Sequence, residues 1–304
     1  MSLDAETIDE IAAELGIDPA FVEKDWYSVQ VLKAVAEHQS ETIETLFAGG
    51  TSLAKGHGLI QRFSEDLDFR CRYITPSSEN QNKKVRRAFR LGMVSRMRAI
   101  GHIELDESKV AIASNYIKFP LGYPQQHDVH ASLRPNLEVE FSFTQPRLPP
   151  HRKPIQSLIS RFTGGSSETE ILCLSPIETG ADKLSALTWR ILRRNRSDPS
   201  DDPAMIRHLH DLCALNSVIK QEQALFINTA HASFESDQKT DKRETKEAFY
   251  PSLQSALAQL QGDTLYQREY QQFVDAMSYA DDEDVISFDH AVASFEAMVE
   301  LFEK

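Results

Sequence analysis

The sequence predicts an α+β fold: a mixed sheet with N-terminal helices before it and a helical C-terminal domain after it. Residues 4–38 place apolar side chains at helical spacing, and residues 43–143 mix short strands with helices. Beyond residue 154 the pattern is almost entirely helical. We therefore expect three parts: N-terminal helices at 1–42, a core at 43–150 and a mainly helical domain at 151–304.

Local end signals define the individual elements. IDEIAAELG ends at Gly16, and Asp18 with Pro19 then supplies an N-cap and a first-turn proline for a second helix. ETLFAGG is typical of a strand that enters a glycine turn, while DLDFRCRY and LEVEFSF alternate polar and apolar residues as half-buried strands do. The proline-rich stretch TQPRLPPHRKP, residues 144–154, indicates a linker and sets the expected boundary.

Composition and charge exclude several classes of protein. Of the 304 residues, 41% are hydrophobic and 26% charged; no apolar run is long enough to span a membrane, and the N-terminal MSLDAETIDE is too acidic for a secretory signal or a transit peptide. Cys71, Cys173 and Cys213 lie outside any CxxC spacing, so we expect reduced thiols, no zinc site and a cytoplasmic location. The net charge of -13 argues against a protein that coats nucleic acid through its whole surface, although a local basic patch stays possible.

Two pairs of acids occupy alternate positions of predicted strands. Asp66 and Asp68 share one face while Leu67 turns to the other, and Glu138 and Glu140 form a similar pair. Carboxylates held this close repel each other unless a cation lies between them, and Mg²⁺ is bound by one or two carboxylates together with water and phosphate oxygens. If the two strands are neighbours, one glutamate would complete a metal triad. Each pair alone is also compatible with a solvated strand end or a polar outer sheet face.

A glycine pair precedes these strands. Gly49 and Gly50 would let backbone N–H groups approach phosphates without interference from a Cβ atom, and a helix expected to begin near Thr51 or Ser52 would offer its positive end. A glycine pair alone is usually a turn. The order strand, Gly-Gly, helix, acidic strand is more specific.

With these motifs the sequence resembles the AbiEii/AbiGii-type nucleotidyltransferase toxins, distant members of the DNA polymerase β-like superfamily. The resemblance rests on GGTSLAKGHGLIQRFSEDLDF, VEKDWYSVQVLKAV, LEVEFSF, SPIETGADKLSALTWRI and RHLHDL. It implies a polymerase β-like nucleotidyltransferase core that uses an NTP with Mg²⁺ or Mn²⁺ and releases pyrophosphate. It also implies an antitoxin protein as partner and tRNA as the acceptor.

The resemblance assigns roles to individual residues. The implied metal ligands are Asp66, Asp68 and Glu140, and the implied nucleotide contacts are Gly49, Gly50, Thr51, Ser52 and Lys183. Lys183 would neutralise triphosphate charge, and Asp211 would orient Lys183 or contact the base or ribose. His208 departs from the family pattern, which has an aspartate there. Without the resemblance, Lys183 is better interpreted as a surface lysine and Asp211 as a helix-surface salt-bridge partner.

Two basic clusters are candidates for RNA contact on this acidic chain. NKKVRRAFRLGMVSRMR carries no acid, and RILRRNR follows the lysine in the helical region. The candidate RNA contacts are Lys83, Lys84, Arg86, Arg87, Arg90, Arg193 and Arg194. The alternative is a solvated helix face paired with acidic loops. Three functions therefore stay open: a tRNA-modifying toxin, the same chemistry on a small molecule or protein hydroxyl, and a catalytically silent binding module.

Overall fold

Contacts between residues divide the chain into two units. The computed structural model describes residues 4–38, 40–75, 78–240, 243–281 and 283–303. The first unit consists of Met1–Gly58 and Phe63–Leu174, and the second of Leu59–Arg62 and Ser175–Lys304. No described helix is both long and apolar enough to cross a membrane.

The first unit begins with the two expected helices. Its helices are α1 (Ala5–Leu15), α2 (Pro19–Ala36), α3 (Gly49–Thr51), α4 (Glu79–Ala99) and α5 (Leu158–Phe162). Asp4 caps α1 by accepting a hydrogen bond from the Thr7 backbone N–H, and Gly16 ends it in the left-handed conformation. Asp18 caps α2 in the same way, and a proline occupies its first position. The end signals in the sequence therefore mark the helix ends correctly.

A mixed eight-stranded sheet forms the centre of the first unit. Its strands are β1 (Ile43–Ala48), β2 (Asp66–Tyr73), β3 (Glu104–Leu105), β4 (Ala111–Ala113), β5 (Tyr116–Gly122), β6 (Leu137–Ser142), β7 (His151–Ile155) and β8 (Thr169–Cys173). The order is β3-β5-β6-β2-β1-β8-β7, and β4 also pairs with β5. The pairs β2–β6 and β1–β8 are parallel, and the other pairs are antiparallel. The α+β class and the mixed sheet predicted from the sequence are confirmed.

One face of this sheet is apolar and buried. Leu67 and Phe69 of β2 join Phe141 of β6 and apolar side chains of α2 and α4 in a single core cluster. The rings of Phe69 and Phe141 stack with centroids 5.0 Å apart. Since side chains alternate along a strand, the acids between these residues emerge on the opposite face.

The proline-rich stretch is not a free linker. Residues 151–155 form β7, which pairs with β8, so Pro154 lies opposite Glu170 at the end of the sheet. Proline is tolerated there because an edge strand leaves some N–H groups without a ladder partner. The first unit therefore extends to Leu174, beyond the boundary expected at residue 150.

The second unit is helical, as expected for the C-terminal part. Its helices are α6 (Pro176–Leu192), α7 (Arg207–Ala214), α8 (Asn216–Gln221), α9 (Gln223–Gln238), α10 (Phe249–Gly262), α11 (Thr264–Met277) and α12 (Phe288–Glu300). Ser175 precedes α6, and a proline starts it. Helix α6 buries most of its residues, including Lys183, so this lysine is not a surface residue of an amphipathic helix.

Candidate active site

The four acids of the two predicted strands lie side by side. In the parallel pairing of β2 and β6, Asp66 is opposite Glu138 and Asp68 is opposite Glu140. All four side chains leave the sheet on the face opposite the core. The expectation that the glutamate strand neighbours the aspartate strand is therefore confirmed, and the backbone brings four carboxylates to one patch, which we call the acid face.

The glycine turn reaches this patch because β1 runs antiparallel to β2. Ala48, the last residue of β1, pairs with Asp68. Gly49 follows with φ of 72°, where only glycine is unstrained. A Cβ atom on Gly49 would lie 3.0 Å from Cγ and 3.1 Å from Cβ of Asp68, and closer still to one carboxylate oxygen. Glycine at position 49 thus gives Asp68 the space that it occupies.

The hydroxyls of Thr51 and Ser52, which the resemblance implies as nucleotide contacts, are buried. The helix begins at Gly49 rather than at Thr51 or Ser52, and continues as a π-helical turn over Ser52–Gly56. The Thr51 hydroxyl donates to the backbone oxygens of Ser64 and Asp66, at 3.1 and 2.6 Å. This hydroxyl therefore anchors the start of β2 to the glycine turn. The Ser52 hydroxyl is buried beside the Cys173 thiol.

Two basic side chains that the sequence analysis missed lie on the acid face. Lys118 of β5 places its Nζ 2.7 Å from Glu138 and 3.2 Å from Glu140. Arg134, in the loop between β5 and β6, donates from Nη1 to Asp66 at 2.6 Å and also to Glu138. The sequence could have indicated the position of Lys118, because this residue alternates with buried residues of β5 as the acids do along β6. No such pattern indicates the position of Arg134, because it depends on the loop conformation.

Tyr116 also contacts the acid face. Burial raises the pKa of Tyr116, and its hydrogen bond to Glu140 and the nearby charges of Asp68 and Glu138 act in the same direction. The phenol therefore stays protonated and donates to Glu140. Together with Lys118, it fixes Glu140 on the side of β6 that faces β5.

The acid face has the chemistry of a divalent-cation site. Mg²⁺ and Mn²⁺ prefer carboxylate oxygens, and the β2–β6 register supplies these from adjacent strands. In the arrangement described, however, the carboxylates of Asp66, Glu138 and Glu140 are turned towards Lys118 or Arg134. No three acidic, histidine or cysteine side chains among the described residues converge on one point. The donor set fits such an ion, and binding would require rotation of these side chains away from the two cations.

The second unit contains a buried ionic cluster at the predicted residues Lys183 and Asp211. Lys183 Nζ lies 2.7 Å from Asp211 Oδ2. Arg62 makes a bidentate contact with the same carboxylate, with both nitrogen–oxygen distances 2.6 Å. Burial opposes ionisation of Asp211, but Arg62 and then Lys183 outweigh it and hold its pKa well below the ordinary value. Asp211 thus contacts two buried cations at once.

The contact between Asp211 and Lys183 is the one that the first of the two roles implied by the resemblance requires, in which Asp211 orients Lys183. Arg62 is a functional candidate that sequence reasoning overlooked, although it lies inside the signature stretch only four residues before Asp66. His208, the position that departs from the family pattern, has a buried Nδ1 without a hydrogen-bond partner among the described residues. Burial, aided by Lys183 and Arg207, lowers the pKa of His208 well below its ordinary value, so this side chain is neutral.

The cations of helix α4 differ in exposure and in their contacts. Lys83, Lys84 and Arg87 are exposed and Arg90 is half-buried, and none of these four forms an ion pair with the part of the chain that the structure describes. Arg86, by contrast, is buried: it donates to the Tyr73 hydroxyl and to Glu79, both at 2.7 Å. The prediction of Arg86 as an RNA contact is corrected for this reason.

The second basic cluster is largely occupied by internal contacts. Arg194 is buried and forms bidentate hydrogen bonds to both Asp201 and Glu269. Arg193 donates to the backbone oxygen of Glu244 at 2.6 Å but stays exposed. Arg194 thus stabilises its own unit, and its predicted role as an RNA contact is also corrected.

Comparisons with known proteins identify the family of the chain. A sequence model of the family described as nucleotidyl transferase AbiEii toxin, type IV TA system, matches residues 30–298. Among solved structures, the nucleotidyltransferase toxin MenT4 from Mycobacterium tuberculosis is similar in fold, with a TM-score of 0.55 and 15% identity over 99% of each chain. No curated protein was found that matches the sequence. The family match spans most of the chain and includes both the acid face and Lys183, so this protein belongs to the AbiEii family of nucleotidyltransferase toxins, whose type IV toxin–antitoxin systems imply an antitoxin partner.

Proposed function

We propose that this nucleotidyltransferase moves a nucleotidyl group from an NTP to tRNA and releases pyrophosphate, using Mg²⁺ or Mn²⁺ held by Asp66, Asp68 and Glu140. The observation that carries the proposal is the β2–β6 register, which sets these three carboxylates on adjacent strands and one face. Phosphoryl transfer depends on positioning and charge stabilisation, and paired carboxylates on a rigid sheet supply both. We place the reaction in the cytoplasm, where NTPs and tRNA are available.

Each acid has a separate task in this scheme. Asp66 and Asp68 supply the ligand oxygens, and Gly49 keeps Asp68 in place by leaving room for its carboxylate. Glu140 lies across from Asp68 and would help remove the proton of the acceptor hydroxyl. When bound, a divalent ion neutralises charge on the phosphates and favours the deprotonated acceptor.

Lys183 is proposed to neutralise the charge of the triphosphate. Support comes from its own cluster, in which the buried carboxylate of Asp211 contacts both Lys183 and Arg62. Buried ionic groups of this kind are costly for stability, and they are frequent at functional sites. Asp211 acts as the positioning residue of this pair.

The acceptor is proposed to be RNA because of helix α4. Lys83 and Arg87 are four residues apart, so both project from the same exposed side of the helix, with Lys84 and Arg90 beside them. A cluster of exposed cations without acidic partners is what a phosphate backbone requires, and it stands out on a chain with net charge -13.

Labelled nucleotides test the reaction. The protein is incubated with each α-labelled NTP, Mg²⁺ and total tRNA, beside Asp66→Ala and a control, Glu104→Gln, which alters an exposed carboxylate of β3 in the same sheet. Label in RNA with the unaltered protein and with Glu104→Gln, but not with Asp66→Ala, is expected. Label in no macromolecule would instead favour a small acceptor, and label in protein would favour a protein hydroxyl.

The RNA-binding role of helix α4 has its own test. Lys83→Gln with Arg87→Gln removes two unpaired charges. Arg96→Gln with Arg98→Gln removes two from the other end of the helix, where the arginines pair with Glu37 and Glu107. The first double variant should lower tRNA modification at least tenfold and reduce its salt dependence, while the second should change it by less than about threefold. Equal effects of the two would contradict a specific basic face.

A further inference from the structure

Arg134 stands out because its main chain is anchored by groups outside the acid face while its guanidinium reaches into that face. The Arg134 backbone N–H donates to Glu65 at 2.9 Å, and the Arg134 carbonyl accepts from Lys24 at 2.8 Å. Lys24 and Glu65 are themselves paired at 2.5 Å, and Lys24 is buried. The backbone of Arg134 is therefore held by a largely buried ion pair, and the Arg134 Nε also lies 3.6 Å from Glu65.

The surrounding loop is anchored independently as well. The buried carboxylate of Glu23 accepts hydrogen bonds from the backbone N–H groups of Gln126 and His127, at 2.8 and 3.3 Å. Gln125 donates to the Pro135 carbonyl at 2.6 Å. These contacts hold both ends of the loop against the first unit, so its conformation does not depend on where the Arg134 side chain points.

The Arg134 guanidinium, in contrast, occupies the acid face. It donates to Asp66 and Glu138 at once, although its side chain is 43% exposed and has solvent on one side. Asp66 is one of the proposed metal ligands, and Arg134 donates to its Oδ1. A divalent cation gains that oxygen only when Arg134 releases it, and the adjacent guanidinium charge opposes cation binding at Oδ2.

We propose that Arg134 couples the binding of the divalent ion to the binding of the triphosphate, an inference that rests on the proposed function. With Asp66 paired to Arg134, the negative charge of the acid face is reduced, and so is its affinity for a lone divalent ion. Once released, the guanidinium is a planar donor held beside the same carboxylates by an anchored backbone, and phosphate is its preferred partner. The triphosphate thereby takes over the arginine while Asp66 becomes free to bind metal.

This coupling predicts opposite changes in two affinities. Arg134→Gln should lower the Kd for Mn²⁺ alone roughly threefold to tenfold, because an exposed competing ion pair is lost. The same variant should raise the Kd for inorganic tripolyphosphate with Mn²⁺ about tenfold, because a charge-assisted phosphate contact is lost. Lys109→Gln is the matched control: it removes one exposed positive charge from the same unit, where Lys109 pairs with Asp106 at 3.6 Å.

The measurement is a Mn²⁺ titration followed by electron paramagnetic resonance, with and without tripolyphosphate, on the unaltered protein, Arg134→Gln, Lys109→Gln and Asp66→Asn. A Mn²⁺ Kd that is equal in Arg134→Gln and Lys109→Gln overturns the coupling but leaves the proposed function intact, provided that Asp66→Asn loses the site. An unaltered protein without any Asp66-dependent Mn²⁺ site overturns both. Failure of Arg134→Gln to fold also overturns the coupling, since Arg134 would then be required for structure.

Discussion

Replacing Gly49 with alanine tests the close contact between the glycine turn and Asp68 of the acid face. Two effects are expected. The first is backbone strain, because φ at Gly49 is 72° and an alanine in the left-handed region costs about 1–2 kcal/mol. The second is the collision of the new Cβ with Asp68, whose Cγ would be 3.0 Å away, and relieving such an overlap costs about 1–3 kcal/mol.

Gly16 provides the matched control. It ends helix α1 with φ of 63°, and nothing lies within 4 Å of a Cβ built there. Gly16→Ala therefore carries the strain without the collision. Urea unfolding should show a loss of about 1–2 kcal/mol for Gly16→Ala and a further 1–3 kcal/mol for Gly49→Ala.

The rate of nucleotidyl transfer should differ more between Gly49→Ala and Gly16→Ala than their unfolding free energies do. Displacing Asp68 by about 1 Å is enough to reduce nucleotidyl transfer on the order of a hundredfold, whereas Gly16→Ala should transfer label at nearly the normal rate. If Gly49→Ala matches Gly16→Ala in both unfolding and transfer, the close approach of Asp68 to the glycine turn has no role in holding the site, and the reasoning from this contact is refuted.

The remaining predictions concern buried ionisable groups. Lys183→Met should abolish transfer without lowering the melting temperature, because Asp211 keeps its bidentate contact with Arg62. Asp211→Asn should lose about 3–5 kcal/mol in urea unfolding, because two buried cations lose the carboxylate that both contact. His57, which contacts the Leu174 carbonyl at 3.0 Å, has its pKa lowered by burial to about 4. As the pH falls, this histidine is protonated in the unfolded chain before it is protonated in the folded protein. The unfolding free energy should therefore fall by at most about 3 kcal/mol between pH 6.5 and 4, and by less in His57→Gln. Equal dependence of the unfolding free energy on pH in the two proteins would contradict this.

The sequence was sufficient for the parts of the fold that follow from local periodicity. The alternation of residues along DLDF and LEVEF correctly predicted which side chains enter the core. It also predicted that the acids between them lie on the opposite face of the sheet. That these two strands are neighbours was an assumption that no local pattern could establish, because it depends on the β-strand order of the whole sheet. The expected linker failed for a similar reason: its prolines are typical of a loop, yet an edge position in the sheet also tolerates them, and only the pairing with β8 distinguishes the two.

The positions of some charged residues can be predicted from the sequence, and those of others cannot. The run of cations in α4 predicted a uniform basic face, but helical spacing already distinguishes its members. Arg86 precedes the buried Phe89 by three residues and the buried Met93 by seven, so it lies on the inner face, whereas Lys83 and Arg87 fall on the outer one. Arg134 had no such signal, since its contacts with the acid face are made by a loop folded across many residues of sequence. Periodicity can therefore exclude a cation from a binding surface, but a cation that a loop brings to an active site becomes visible only in the three-dimensional structure.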